Sequence, residues 1–70
     1  MFNIIKLNDI DNVATASMNI PKDANIKNDL FANTYIPYGH KISLKKINKG
    51  ELIYKYGQII GIASEDINKG

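Results

Sequence analysis

A four-residue unit recurs along this chain and constrains its folding more than any other feature. Ile36-Pro37-Tyr38-Gly39, Ile47-Asn48-Lys49-Gly50 and Ile67-Asn68-Lys69-Gly70 share an isoleucine, two turn-forming residues and a glycine, and Ile20-Pro21-Lys22-Asp23 is a degenerate copy. Each copy supplies an apolar anchor, a tight turn, and a residue that takes positive φ at little steric cost before the chain extends again. The copies lie 11 and then 20 residues apart from Ile36 to Ile47 to Ile67. That is too few and too uneven for a solenoid. The pattern predicts a mainly β fold of short strands joined by tight turns.

The segments between the units support this. Phe2 to Leu7 reads as a short strand with β-branched Ile4 and Ile5, closed by Asn8-Asp9. Asp11 or Asn12 could N-cap a short helix over residues 11–18, favoured by Ala14 and Ala16 and opposed by Val13 and Thr15; Pro21 would end it. Asn19 to Asn33 is polar, with Ile20, Ile26, Leu30 and Phe31 as anchors, and shows no helical stripe. In Lys41 to Lys46, Ile42 and Leu44 alternate with Lys41, Ser43 and Lys45, as in a half-buried strand. Glu51 to Tyr56 sets Leu52, Tyr54 and Tyr56 against Glu51, Ile53 and Lys55. Gly57 and Gly61 bracket a short strand that can bend at both ends. The glycines Gly39, Gly50, Gly57 and Gly61 thus read as structural turn positions.

Composition narrows the chemistry. Seventy residues allow one small domain, spanning 1–70, which buries roughly 60% of the surface its unfolded chain exposes. A core that small gains from a metal, a partner chain or a second copy, so a homodimer is one way to stabilise it. No cysteine is present, which removes disulfides, thiolate metal sites and cysteine nucleophiles, and a single histidine cannot build a multi-histidine zinc site. Nine lysines face seven acidic residues, with no arginine and only Lys45-Lys46 adjacent. Nucleic-acid binding calls for clustered Lys and Arg, so no nucleic-acid partner is expected. Apolar runs are too short for a signal peptide or a membrane span, and a cytoplasmic protein is the default expectation.

The motifs together resemble a known family. Gly39-His40-Lys41, Lys49-Gly50-Glu51, Lys55-Tyr56-Gly57 and Ile60-Gly61, with Asp11-Asn12-Val13-Ala14 near the start, are similar to the small N-terminal domain of the altronate/galactarate dehydratases. The likeness runs over nearly the whole chain and is weakest between Asn19 and Asn33. It implies a SAF-type β-clip fold, and a small subunit or excised N-terminal domain of a dehydratase that removes water from a sugar acid. It also implies a divalent metal, iron or manganese, held mainly by a large catalytic subunit or domain. The family pattern continues into a histidine-containing segment of the type V-H-x-H-N; the sequence ends at Gly70, so no role of that segment is carried over.

Elimination of water beside a carboxylate needs a base at the adjacent carbon and help for the departing hydroxide. His40 and Lys41 are the catalytic candidates in this chain, the alternative for His40 being a loop histidine bonded to backbone. Lys55 and Tyr56 are candidate substrate-binding residues, with a solvated lysine face and tyrosine packing as the plainer readings. No complete catalytic set is visible, so the isolated chain is not expected to turn over substrate. The rival from another class is a non-catalytic SAF-type module that binds a carbohydrate or a protein through its Tyr and Lys face.

Overall fold

The structure, a computed structural model, describes residues 2–70. Seven short strands follow in order: β1 (Ile4–Ile5), β2 (Val13–Ala16), β3 (Asn25–Lys27), β4 (Leu30–Phe31), β5 (Lys41–Ser43), β6 (Leu52–Lys55) and β7 (Gln58–Ile62). Strands β1, β2 and β5 form an antiparallel sheet with β2 in the centre. Two separate hairpins, β3–β4 and β6–β7, complete the strand pairing. There is no helix among the described residues.

The four recurring units are the joints of this fold. Their leading isoleucines pair across the molecule as isolated antiparallel bridges, Ile20 with Ile36 and Ile47 with Ile67. Their fourth residues all have positive φ: Asp23 at 69°, Gly39 at 84°, Gly50 at 88° and Gly70 at 87°. The N–H of each fourth residue donates to a carbonyl of another segment, on Ala32, Ala16, Ala63 and Ser43 respectively. In the first three, the next residue's N–H closes the turn onto the second residue's carbonyl, as Ala24 to Pro21, His40 to Pro37 and Glu51 to Asn48. Sequence repeat and hydrogen-bond repeat therefore coincide, and they clip the strands together without long ladders.

The helix expected near residues 11–18 is not formed; Val13–Ala16 is strand β2. Its environment explains the choice. β2 is covered on both faces, with Val13 packed in one apolar cluster beside Ile47 and Ala63, and Ala14 and Ala16 in another with Ile20, Ile36 and Ile42. The alanines satisfy close packing on a central strand, an override of their helix propensity by tertiary contacts. Asp11 and Asn12 do not cap a helix; both are buried and dock the β6–β7 hairpin.

Three further details differ from the sequence pattern. In β6 it is Ile53 and Lys55 that turn inward, while Leu52 and Tyr56 are exposed. Tyr56 lies beyond the end of β6, so it does not share a strand face with Tyr54. Gly61 is not a turn residue but a member of β7 opposite Ile53, next to a register shift that leaves Ile60 unpaired. A glycine beside a bulge is a common strand device.

Candidate functional site

The β6–β7 hairpin turns through Tyr56 and Gly57, with φ values of 58° and 71°. Two consecutive positive φ values mark a type I′ turn, the geometry that suits the twist of a two-residue hairpin. Glycine accepts this readily; a bulky tyrosine in the same region is an outlier that its surroundings must hold in place. Asp11 does so. Its Oδ2 accepts the Tyr56 N–H at 2.9 Å and its Oδ1 accepts the Gly57 N–H at 2.8 Å. Burial would raise the Asp11 carboxyl, but the N–H groups of Gly57 and Tyr56, with weaker contributions from Leu7 and Asn8, hold it below the ordinary aspartate range.

Asn12 fixes the strand itself. Its Oδ1 accepts the Tyr54 N–H at 2.8 Å and its Nδ2 donates to the Leu52 carbonyl at 2.9 Å. The Asn12 backbone N–H donates to the Tyr54 carbonyl at 3.3 Å. A side-chain amide has one acceptor and one donor end, and here both are used on one strand edge. Ile53 completes the docking by packing against Val13, Ile47 and Ala63.

Docked in this way, the hairpin brings four polar side chains to one face. Thr15 of β2 stands directly opposite Lys41 of β5, and antiparallel partners project on the same side of a sheet. Lys55 is only 6% exposed, and its Nζ lies 3.3 Å from the centre of the Tyr56 ring. An ammonium over an aromatic face is attracted by the ring quadrupole. The nearby Lys55 ammonium is the main reason the Tyr56 phenol is held below the ordinary tyrosine range; the Thr15 hydroxyl and the Lys41 charge act in the same direction, against partial burial. The sole ion pair among the described residues joins Lys69 to Asp29 at 2.9 Å, so neither Lys41 nor Lys55 is neutralised by a carboxylate there.

Lys41 also borders a groove of about 340 Å³. Asn33, Thr34 and Asn68 give that groove amide and hydroxyl groups, and Ile36 and Ile67 give it an apolar floor. A cation at the edge of a groove with neutral polar groups along it suits a small acid carrying hydroxyls.

The structure thus brings Lys41, Lys55 and Tyr56 together. His40 is exposed and ends the turn before β5, its N–H donating to the Pro37 carbonyl at 3.0 Å and its carbonyl accepting the Ala16 N–H at 2.8 Å. Gly39, Gly50 and Gly57 hold positive φ as turn residues. Asp11, Asn12 and Thr15 are the site-building residues that sequence reading passed over. The signal for the first two was their position in the same family-like motif set as Lys55-Tyr56-Gly57. No group of three His, Cys, Asp or Glu side chains comes together among the described residues. The donors present here therefore do not fit a resident divalent metal.

Comparison with known proteins returns one family. The altronate/galactarate dehydratase SAF domain matches residues 2–70. No curated protein matches the chain. No helix of the described residues is long and apolar enough to cross a membrane.

Proposed function

The chain belongs to the altronate/galactarate dehydratase SAF-domain family, and from that premise we propose that it serves as the small part of a sugar-acid dehydratase, a hydro-lyase of the cytoplasm. In this reading it binds the carboxylate end of the substrate and covers an active site built mainly by a larger catalytic chain or domain. The observation that carries the reading is Lys41, which borders an amide-lined groove and whose charge reaches the Tyr56 phenol, with Lys55 over the tyrosine ring. Lys41 is exposed and unpaired among the described residues, so it can meet a carboxylate directly. Lys55 is buried and acts through Tyr56. A divalent metal such as iron or manganese would be held by the larger chain, since the donors here do not assemble a site for one; no step is routed through it.

The test begins with a tag on this chain and recovery of its complex from native cells. A larger chain in stoichiometric amount, active on galactarate or altronate, is the expected result. In that complex Lys41→Met should raise KM about 10- to 100-fold, the scale of a lost charge-assisted hydrogen bond. Recovery of the chain alone, or full activity of the large chain without it, would instead favour a free-standing carbohydrate- or protein-binding module or a homodimer.

A further inference from the structure

Tyr56 combines four features that a packing tyrosine does not need. It occupies a left-handed backbone position, φ 58°, where asparagine or glycine would sit without strain. Both oxygens of the Asp11 carboxylate are committed to the turn that presents it. Its ring carries the ammonium of buried Lys55, 3.3 Å from the ring centre. Its side chain nevertheless remains about half exposed, at 53%. Backbone strain that the surroundings over-determine gathers at sites with a task.

The groups that act on the phenol come from three separate elements. They are Lys55 at the end of β6, Thr15 on β2 and Lys41 on β5, two cations and a hydroxyl. All three favour a phenolate oxygen over a phenol. The nearest carboxylate of the turn, Asp11, is spent on the backbone N–H groups of Tyr56 and Gly57.

We propose that Tyr56 is a catalytic acid–base residue that this chain contributes to the dehydration, with Lys55 as its positioning residue. The inference rests on the proposed function and deepens it. With the substrate carboxylate at Lys41, the Tyr56 phenolate takes the proton from the carbon next to that carboxylate. The C–H electron pair moves into the carboxylate, whose added charge meets the Lys41 ammonium. The carbon–oxygen bond at the following carbon then breaks, as the electron pair returns to form the double bond. The departing hydroxyl takes the proton back from the phenol and leaves as water. One residue carries one proton between two positions, so the step balances without a further acid or base.

Tyr56→Phe tests this, because it keeps the ring under Lys55 and removes only the oxygen. In the recovered complex, assayed on galactarate and altronate, kcat should fall about 100- to 10,000-fold with KM little changed. The rising limb of the kcat/KM pH profile should vanish in Tyr56→Phe and move to higher pH in Lys55→Met. In the chain alone, ultraviolet titration should show a phenol ionising below the ordinary tyrosine range, absent in Tyr56→Phe. Unchanged kcat and an unchanged limb in Tyr56→Phe would overturn the inference, as would a titration with no phenol ionising below the ordinary tyrosine range. If Tyr56→Phe is silent while Lys41→Met raises KM, the acid–base role fails and the carboxylate-binding reading survives. If both are silent, the carboxylate-binding reading fails as well.

Discussion

Replacing Asn12 by alanine should loosen the hairpin that carries Lys55 and Tyr56, and the size of the effect follows from the geometry. Asn12 is 6% exposed and makes two side-chain hydrogen bonds, one accepted from Tyr54 and one donated to Leu52. Losing both costs about 2 kcal/mol if water reaches the Tyr54 N–H and the Leu52 carbonyl. Where those groups stay dry, each adds a desolvation penalty, and the total rises to about 5 kcal/mol. A chain of this length has a stability on the order of 3.5–10 kcal/mol. The variant should therefore unfold at a clearly lower urea midpoint, and amide exchange should quicken first at Tyr54, Tyr56 and Gly57. Asn12→Asp sharpens the reasoning: it keeps an acceptor for Tyr54 but sets an oxygen against the Leu52 carbonyl. A protonated aspartate can donate there, so folding raises the new carboxyl's pKa. Its stabilising contribution is present below the ordinary carboxylate range and is lost as pH rises through the raised value. A loss under about 0.5 kcal/mol in Asn12→Ala, with amide protection intact across the hairpin, would refute the docking role.

Other perturbations have definite signs. Gly50→Ala should destabilise by about 1–2 kcal/mol because φ is 88° there, although no atom blocks the added methyl. Gly61→Ala, inside β7 with open space around it, should be neutral or stabilise by about 0.5 kcal/mol; urea melts of the two variants should move in opposite directions or differ clearly in size. Ile20→Ala removes a side chain with no exposed surface, and a loss of about 2–5 kcal/mol should leave much of the population unfolded by circular dichroism. Acid should weaken the fold through Asp11 and Asp29, the latter held low by the Lys69 ammonium through its hydrogen bond and its charge. For such lowered carboxyls the stabilisation is present above the ordinary value of 3.8 and is lost as pH falls below it through the folded value. Urea midpoints measured from pH 5 downward should fall, and the fall should be shallower in Asp11→Asn.

The repeat was legible because its physics is local. An isoleucine, a two-residue turn and a residue tolerant of positive φ announce the joint wherever they occur, even at Asp23, where aspartate replaces glycine. Gly57 was legible for the same reason. The β2 strand was not, because Val-Ala-Thr-Ala is ambiguous until two apolar clusters cover both of its faces. The inward face of β6 was not legible either. Its alternation offers two aromatic residues and a leucine on one side and a single isoleucine with a lysine on the other. The second side wins because Asn12 grips the strand edge and Ile53 completes the Val13–Ile47–Ala63 cluster. Lys55 can follow it inward because its long apolar stem packs while its ammonium finds the Tyr56 ring. For the site, residue types near the chemistry were readable, and their grouping was not: Thr15 and Lys41 come from different strands and stand opposite each other, and Lys55 lies over the Tyr56 ring.

The two family-like segments that looked independent, Asp11-Asn12 and Lys55-Tyr56-Gly57, act as one device. Their contacts span 42 to 46 residues of chain, so they form only when the whole fold is in place. A conservative change at Asp11 and a conservative change at Tyr56 can both abolish activity, yet through different physics. Asp11→Asn keeps the phenol and replaces one of the two acceptors of the turn by a donor, so it should reduce stability and loosen the position of Tyr56. Tyr56→Phe keeps the turn and removes the oxygen, so stability should hold while chemistry stops. A pair of measurements, urea midpoint and kcat in the recovered complex, separates the two. Were Asp11→Asn to leave both untouched, the carboxylate would not be what holds the tyrosine in its left-handed position, and the argument that joins the strained turn to the chemistry would lose its first link.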